Sequence, residues 1–262
     1  MGETALFALI AEEPESGSYP EPMATGRAQF GPVTIAWTDA AASAPPSPRV
    51  LGRLGEQQMR KYAALSGDAA KRFLAGRSLL ADLIEELTDV ADLGFTTTCE
   101  RCGADHGRPR LERAPVEVSL SYAGSVIAVA AARQTDAAAV GVDIEREPSE
   151  GPLVPLRDLE RLFAPAEAPD TQGWTLIEAA LKADGRGVTV DLAQVKVGEI
   201  GTGRLRGSRA VRIPSRDSVD AGVDAGVDAG VDAGVDAGAI AGPSGFVLSA
   251  AMVPAAGERH PA

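Results

Sequence analysis

The apolar positions of the chain switch repeatedly between two periods. VTIAW at 33–37 is a short run of β-branched and aromatic residues and predicts a strand. Residues 54–65 carry a helical pattern, and AAKRFLAGRSLLADLIEELTDV at 69–90 carries a stronger one. In the second, Leu80, Leu83, Ile84 and Leu87 fall at i, i+3, i+4 and i+7 and form one buried stripe. Gly76 lies inside that helix at a cost of about 1 kcal/mol relative to alanine, which implies close packing or a ligand against it. VEVSLSY and VIAVAAAR flank Ala123-Gly124-Ser125 and predict a β-hairpin over 116–132. AVGVDIE at 139–145 reads as a further strand. Helices follow at 157–167, ended by Pro165, and at 173–187, leaving through Gly185-Arg186-Gly187 as a C-cap. Strands are expected at 195–200, 210–213 and 246–253. The fold class is α+β, in two halves of similar size, 1–136 and 137–262.

The connecting segments differ in kind. Residues 11–30 are rich in Pro, Gly and Glu and are expected to be flexible, and 39–50 is a Pro- and Ala-rich loop. VDAG occurs five times without a break from Val219 to Gly238. A glycine every fourth residue disfavours helix, and the repeat has no large apolar side chain with which to build a core. It also lacks the glycine-rich nonapeptide of calcium-binding repeats. An acidic loop between two strands is expected, dispensable for any chemistry.

Composition narrows the classes. Of 262 residues, 45% are hydrophobic, enough for a substantial core. No apolar run reaches the length of a membrane span, and the N-terminus lacks the basic start of a secretory signal. Leu6 stands where myristoylation would want a hydroxyl. Two cysteines make no disulfide framework, so a reducing cytoplasm is expected. A net charge of −12 argues against a nucleic-acid binder. Residues 53–77 are locally basic, with Arg53, Arg60, Lys61, Lys71, Arg72 and Arg77 against Glu56 and Asp68; they fit an anionic ligand or a solvated helix face.

Two acids interrupt the apolar strand at 139–145. Strand alternation puts Asp143 and Glu145 on one face, roughly 7 Å apart, with Val142 and Ile144 on the other. Like charges so placed need solvent or a cation. WTLIEAALK then sets Glu178 and Lys182 at i and i+4 on one helix face. That pair alone is a surface ion pair of modest worth. Together with Asp143 and Glu145 it supplies three carboxylates, the oxygen ligands of a hard cation such as Mg²⁺, and a lysine to hold a phosphate.

These pieces stand in a specific order: KRFLAGRSLL at 71–80, HGRPRL at 106–111, VSLSYAGSVIAVAA at 118–131, GVDIE at 141–145 and WTLIEAALKADGRG at 174–187. In that order the chain resembles the 4′-phosphopantetheinyl transferases, of the larger monomeric type that activates polyketide- and peptide-synthase carrier proteins. The similarity runs from about Arg60 to Gly187, with weaker strand matches to about Val253. It implies two pseudo-symmetric α/β halves with the active site in the cleft between them. It implies transfer of the phosphopantetheine arm of coenzyme A to a serine of an apo acyl or peptidyl carrier protein, releasing adenosine 3′,5′-bisphosphate, in polyketide, nonribosomal-peptide or fatty-acid synthesis. By position, Asp143, Glu145 and Glu178 would hold Mg²⁺, and Lys182 would contact the pyrophosphate, with Glu178 helping to deprotonate the serine. Arg108, Ser121, Tyr122, Arg72 and Arg60 or Lys61 would meet coenzyme A, together with Asp143 and Lys182.

Two positions depart from the family pattern. The helix usually reads W-x-x-K-E-A, and Ile177 replaces that lysine; the hairpin usually reads Ser-His-Ser, and here it is Ser121-Tyr122-Ala123. A tyrosine can stack or donate a hydrogen bond but does not become a cation. These departures motivate a rival, a relative that binds coenzyme A or carrier proteins without turnover. A second rival is a zinc- or redox-responsive protein using Cys99-x-x-Cys102 with His106. A structural zinc site takes four ligands, and the other histidine, His260, is far along the chain. Trp37 and Trp174 are read as packing residues.

Overall fold

The computed structural model describes residues 25–42, 47, 49–99, 102–105, 107–147, 156–187, 190–214 and 234–255. Strands β1 (Gly26–Phe30) and β2 (Val33–Asp39) open the fold. Helices α1 (Val50–Leu54), α2 (Glu56–Ala63) and α3 (Gly67–Leu87) follow, then the short pair β3 (Phe95–Thr96) and β4 (Arg110–Leu111). The hairpin β5 (Val116–Ala123) and β6 (Val126–Arg133) leads to β7 (Ala137–Arg146). The chain continues through α4 (Leu156–Phe163), α5 (Thr171–Asp184), β8 (Lys196–Val197), β9 (Arg209–Arg212), β10 (Val235–Ile240) and β11 (Phe246–Pro254).

Three antiparallel sheets result, two large ones with orders β1-β2-β6-β5 and β7-β11-β10-β9-β8 and the small pair β3-β4. The α+β reading holds. One core lies between the sheets: Val33, Ile35 and Trp37 of the first meet Val142, Ile144, Leu248 and Met252 of the second. A second core seals α1 and α3 to the outer face of the first sheet, and a third seals α4 and α5 to the outer face of the second. Strand β6 is covered on both faces, so VIAVAAA is apolar throughout rather than alternating; its alanines let the layers approach. Among the described residues, no helix is long and apolar enough to cross a membrane.

Several boundaries differ from the sequence reading. Of the helix expected over 54–65, α2 covers 56–63; the short α1 precedes it, unforeseen, across Gly55, whose φ of 105° no side chain adopts readily. Residues 26–30, expected to be flexible, are β1, an edge strand paired along its whole length with β2. The run 195–200 yields only the two residues of β8. Gly76 answers its question by close packing: a Cβ there would press on the Tyr122 hydroxyl at 3.0 Å and on Ile127 at 3.2 Å. Trp37 and Trp174 are both buried, the latter edge-on to Phe163 at 6.0 Å.

The repeat carries the largest correction. Its first copies lie outside the described residues, but the last, Val235 to Gly238, forms most of β10, the middle strand of five. Val235 and Ala237 enter the core under α5. Asp236 is buried and accepts the Arg204 backbone N–H at 2.9 Å, tying down the turn before β9. Gly238 lies where a Cβ would meet the Phe30 ring at 2.6 Å. Small residues fill this strand because its neighbours supply the bulk. The repeat as a whole is therefore not dispensable, because its last copy is part of the middle strand of a sheet. Deleting 219–234 leaves a single VDAG and a loop short enough to close. Circular-dichroism melts of that variant should stay cooperative with an unchanged midpoint, whereas deleting 219–238 should abolish the cooperative transition.

Candidate functional site

The strand β7 has two different faces. Val140, Val142 and Ile144 point into the core between the sheets, and Gly141, Asp143 and Glu145 point toward α5. The helix starts at Asp170, whose carboxylate accepts the Gly173 N–H at 2.7 Å as an N-cap, and ends at Gly185 with φ 87°. Gly141 decides how close the helix comes. A Cβ at that position would collide with the Ala179 carbonyl oxygen and lie 2.8 Å from the Ala183 nitrogen. Thr175 of α5 and Ser249 of β11 share a buried hydroxyl hydrogen bond of 2.9 Å, which fixes the rotation of the helix. At the far end, the Arg108 guanidinium donates to the Ala183 carbonyl at 3.3 Å, a cation at the negative end of the helix.

This placement lowers Glu178 and Lys182 onto Asp143 and Glu145. One oxygen from each of Asp143, Glu145 and Glu178 lies within 4.8 Å of the others. Among the described residues this is the one such gathering of three acid, cysteine or histidine side chains. Asp143 is buried, and its Oδ1 accepts from Lys182 Nζ at 2.6 Å and from Ser121 Oγ at 2.8 Å. Its Oδ2 is buried and has no hydrogen-bond partner. Lys182 Nζ also donates to Ser121 Oγ at 3.0 Å and lies 3.9 Å from Glu178. Burial, and then the Asp143 charge, pushes Glu145 up to about 7 and Glu178 up to about 8. Burial works against the Lys182 ammonium, but Asp143 and then Glu178 outweigh it and hold its pKa above the ordinary value. Three carboxylates against one ammonium leave the pocket short of positive charge. A buried, unpartnered carboxylate oxygen beside two reluctant acids fits a hard divalent cation.

The other candidates do not join this group. Arg60 is exposed and pairs with Glu56, and Arg72 donates to the Gly124 carbonyl at 3.1 Å. Arg108 binds Glu117 at 2.6 Å as well as the end of α5. Tyr122 is 40% exposed, and its hydroxyl accepts from Arg77 at 3.1 Å. Arg53, Arg60, Lys61 and Lys71 all pair with carboxylates, so most of the basic stretch is internally compensated. Arg77 is different: it is buried, donates to Gln58 at 2.8 Å and lies over the rings of Phe73 and Phe95 at 4.5 and 4.8 Å. Ile177 is buried in the core around α5, so a lysine there would put an ammonium among apolar side chains. Cys99 is half-buried and Cys102 exposed; His106 lies outside the described residues.

Sequence reasoning passed over Gly141 and Ser119. Gly141 belonged to the quoted GVDIE, where only a close helix explains it. Ser119 lies two residues before Ser121, on the same strand face, and accepts the Val142 N–H at 3.1 Å. In comparison with known proteins, no family model matches the chain and no curated protein matches it.

Two outcomes follow from this geometry. An unfolded glutamate titrates near 4.5, and here the folded values are about 7 and about 8. Between those values the folded state holds more protons than the unfolded one, so metal-free stability falls as pH rises through that window. Mg²⁺ should remove much of the fall. Urea melts across the window, with and without Mg²⁺, check this; metal-free stability that rises toward the upper end would contradict it. Gly141→Ala should cost about 2 kcal/mol or more by forcing α5 off β7, measurable by chemical denaturation.

Proposed function

We propose that the chain is a Mg²⁺-dependent 4′-phosphopantetheinyl transferase acting on coenzyme A and an apo acyl or peptidyl carrier protein. The observation that carries the reading is the convergence of Glu145, Glu178 and Lys182, all half-buried, on the buried Asp143. These are the residues that the ordered motifs single out. We read the two sheets, each with its own long helix, as the pseudo-symmetric halves of the transferase fold. The protein would work as a monomer in the cytoplasm.

Asp143, Glu145 and Glu178 would hold Mg²⁺, which when bound neutralises charge on the pyrophosphate oxygens. Lys182 adds a fixed cation beside them and stabilises the oxygen of the departing group. The carrier serine Oγ forms a bond to the phosphorus that bears the pantetheine arm. The P–O bond to the other phosphate breaks, and adenosine 3′,5′-bisphosphate leaves with the bond electrons. Glu178 takes the serine proton. The chain's contribution is chiefly orientation and charge, as phosphoryl transfer requires.

Incubation with coenzyme A, Mg²⁺ and a panel of apo carrier proteins should add one phosphopantetheine mass to at least one of them, and EDTA should prevent it. Asp143→Ala should abolish transfer with the fold retained, and Glu178→Gln should lower it by ~10²-fold or more. A fully active Asp143→Ala variant, or a panel with no modified carrier, would contradict the reading.

A further inference from the structure

Strands β5 and β7 are edge strands of different sheets, yet they lie side by side without a backbone ladder. Two serine hydroxyls replace that ladder. Ser119 Oγ accepts the Val142 N–H at 3.1 Å, and Ser121 Oγ accepts the Ile144 N–H at 3.4 Å. The offset is 23 residues in both cases, so the strands run in the same direction. Both serines are buried. Their duties then diverge. Ser119 has only this seam bond among its side-chain contacts described above. Ser121 also donates to Asp143 Oδ1 at 2.8 Å and accepts from Lys182 Nζ at 3.0 Å. A hydroxyl has one proton and two lone pairs, and Ser121 uses all three.

We propose that Ser121 is a positioning residue that sets the Asp143 carboxylate for a divalent cation and ties the seam between the sheets to that site. The inference rests on the metal-binding reading above. Ser121 and Lys182 together occupy Asp143 Oδ1, which leaves the unpartnered Oδ2 as the oxygen offered to the cation. Without the hydroxyl, Oδ1 loses its neutral donor, Lys182 loses an acceptor, and the carboxylate is held by Lys182 alone. Outer-shell partners of this kind govern the affinity of the site they orient. Ser119 is a built-in control, since its hydroxyl closes the same seam through the Val142 N–H, whereas the bonds to Asp143 and Lys182 are made by Ser121.

The test is Mn²⁺ binding, measured by calorimetry on the full chain without coenzyme A. Ser121→Ala should weaken Mn²⁺ binding ~10- to 100-fold, Ser121→Thr should restore most of it, and Ser119→Ala should leave it unchanged. Equal binding by wild type and Ser121→Ala overturns this inference while sparing the metal reading. Equal weakening by Ser119→Ala also overturns it, because the seam alone would then explain the loss. A wild-type protein that binds no Mn²⁺ overturns both. Should Ser121→Ala not fold, hydrogen exchange on the wild type decides. Mg²⁺ should slow the Ile144 amide more than the Val142 amide, and equal slowing counts against the proposal.

Discussion

Three carboxylates and one ammonium meet where α5 lies on β7, and their charges do not balance. Lys182 lies 2.6 Å from Asp143 but 3.9 Å from Glu178, so its compensation is uneven. Burial makes the shortfall costly, because an uncompensated charge away from water must find a partner or take up a proton. Glu145 and Glu178 are driven toward protonation for that reason. A pocket in this condition accepts either protons or a cation, and most of the architecture around it serves to hold the helix and strand in contact.

The contact has three supports of different chemistry. Gly141 removes the side chain that would separate the two elements. The Thr175–Ser249 hydroxyl pair fixes which face of the helix turns inward, in a place where unpaired hydroxyls would be penalised. Arg108 reaches from the segment after β3 to the end of α5, so the first half of the chain also restrains the helix. The serines of β5 do the same from the seam. The site thus depends on both sheets, although all of its acids and its lysine come from the second half.

Much of this was legible in the sequence. The 3.6 period gave α3, and alternation gave both the hairpin and the two faces of β7. The i, i+4 spacing placed Glu178 and Lys182 together. The misreadings share one physical cause, burial supplied by neighbours rather than by the segment itself. VDAG looked unable to enter a core because it has no bulk, yet α5 and Phe30 provide the bulk around β10. GRAQF looked like part of a flexible stretch because pairing with β2 is not visible in five residues. The burial of Ile177 among apolar neighbours is likewise a tertiary fact that no local pattern shows. The seam serines were equally hidden, since no local pattern says that a hydroxyl will replace a backbone ladder.

The most direct test of the central claim is an anomalous difference map from crystals of the protein grown with Mn²⁺ and coenzyme A. The account predicts a metal peak bounded by Asp143, Glu145 and Glu178, with the coenzyme A pyrophosphate between it and Lys182. A peak elsewhere, or a fully bound coenzyme A with no metal among these carboxylates, would contradict it.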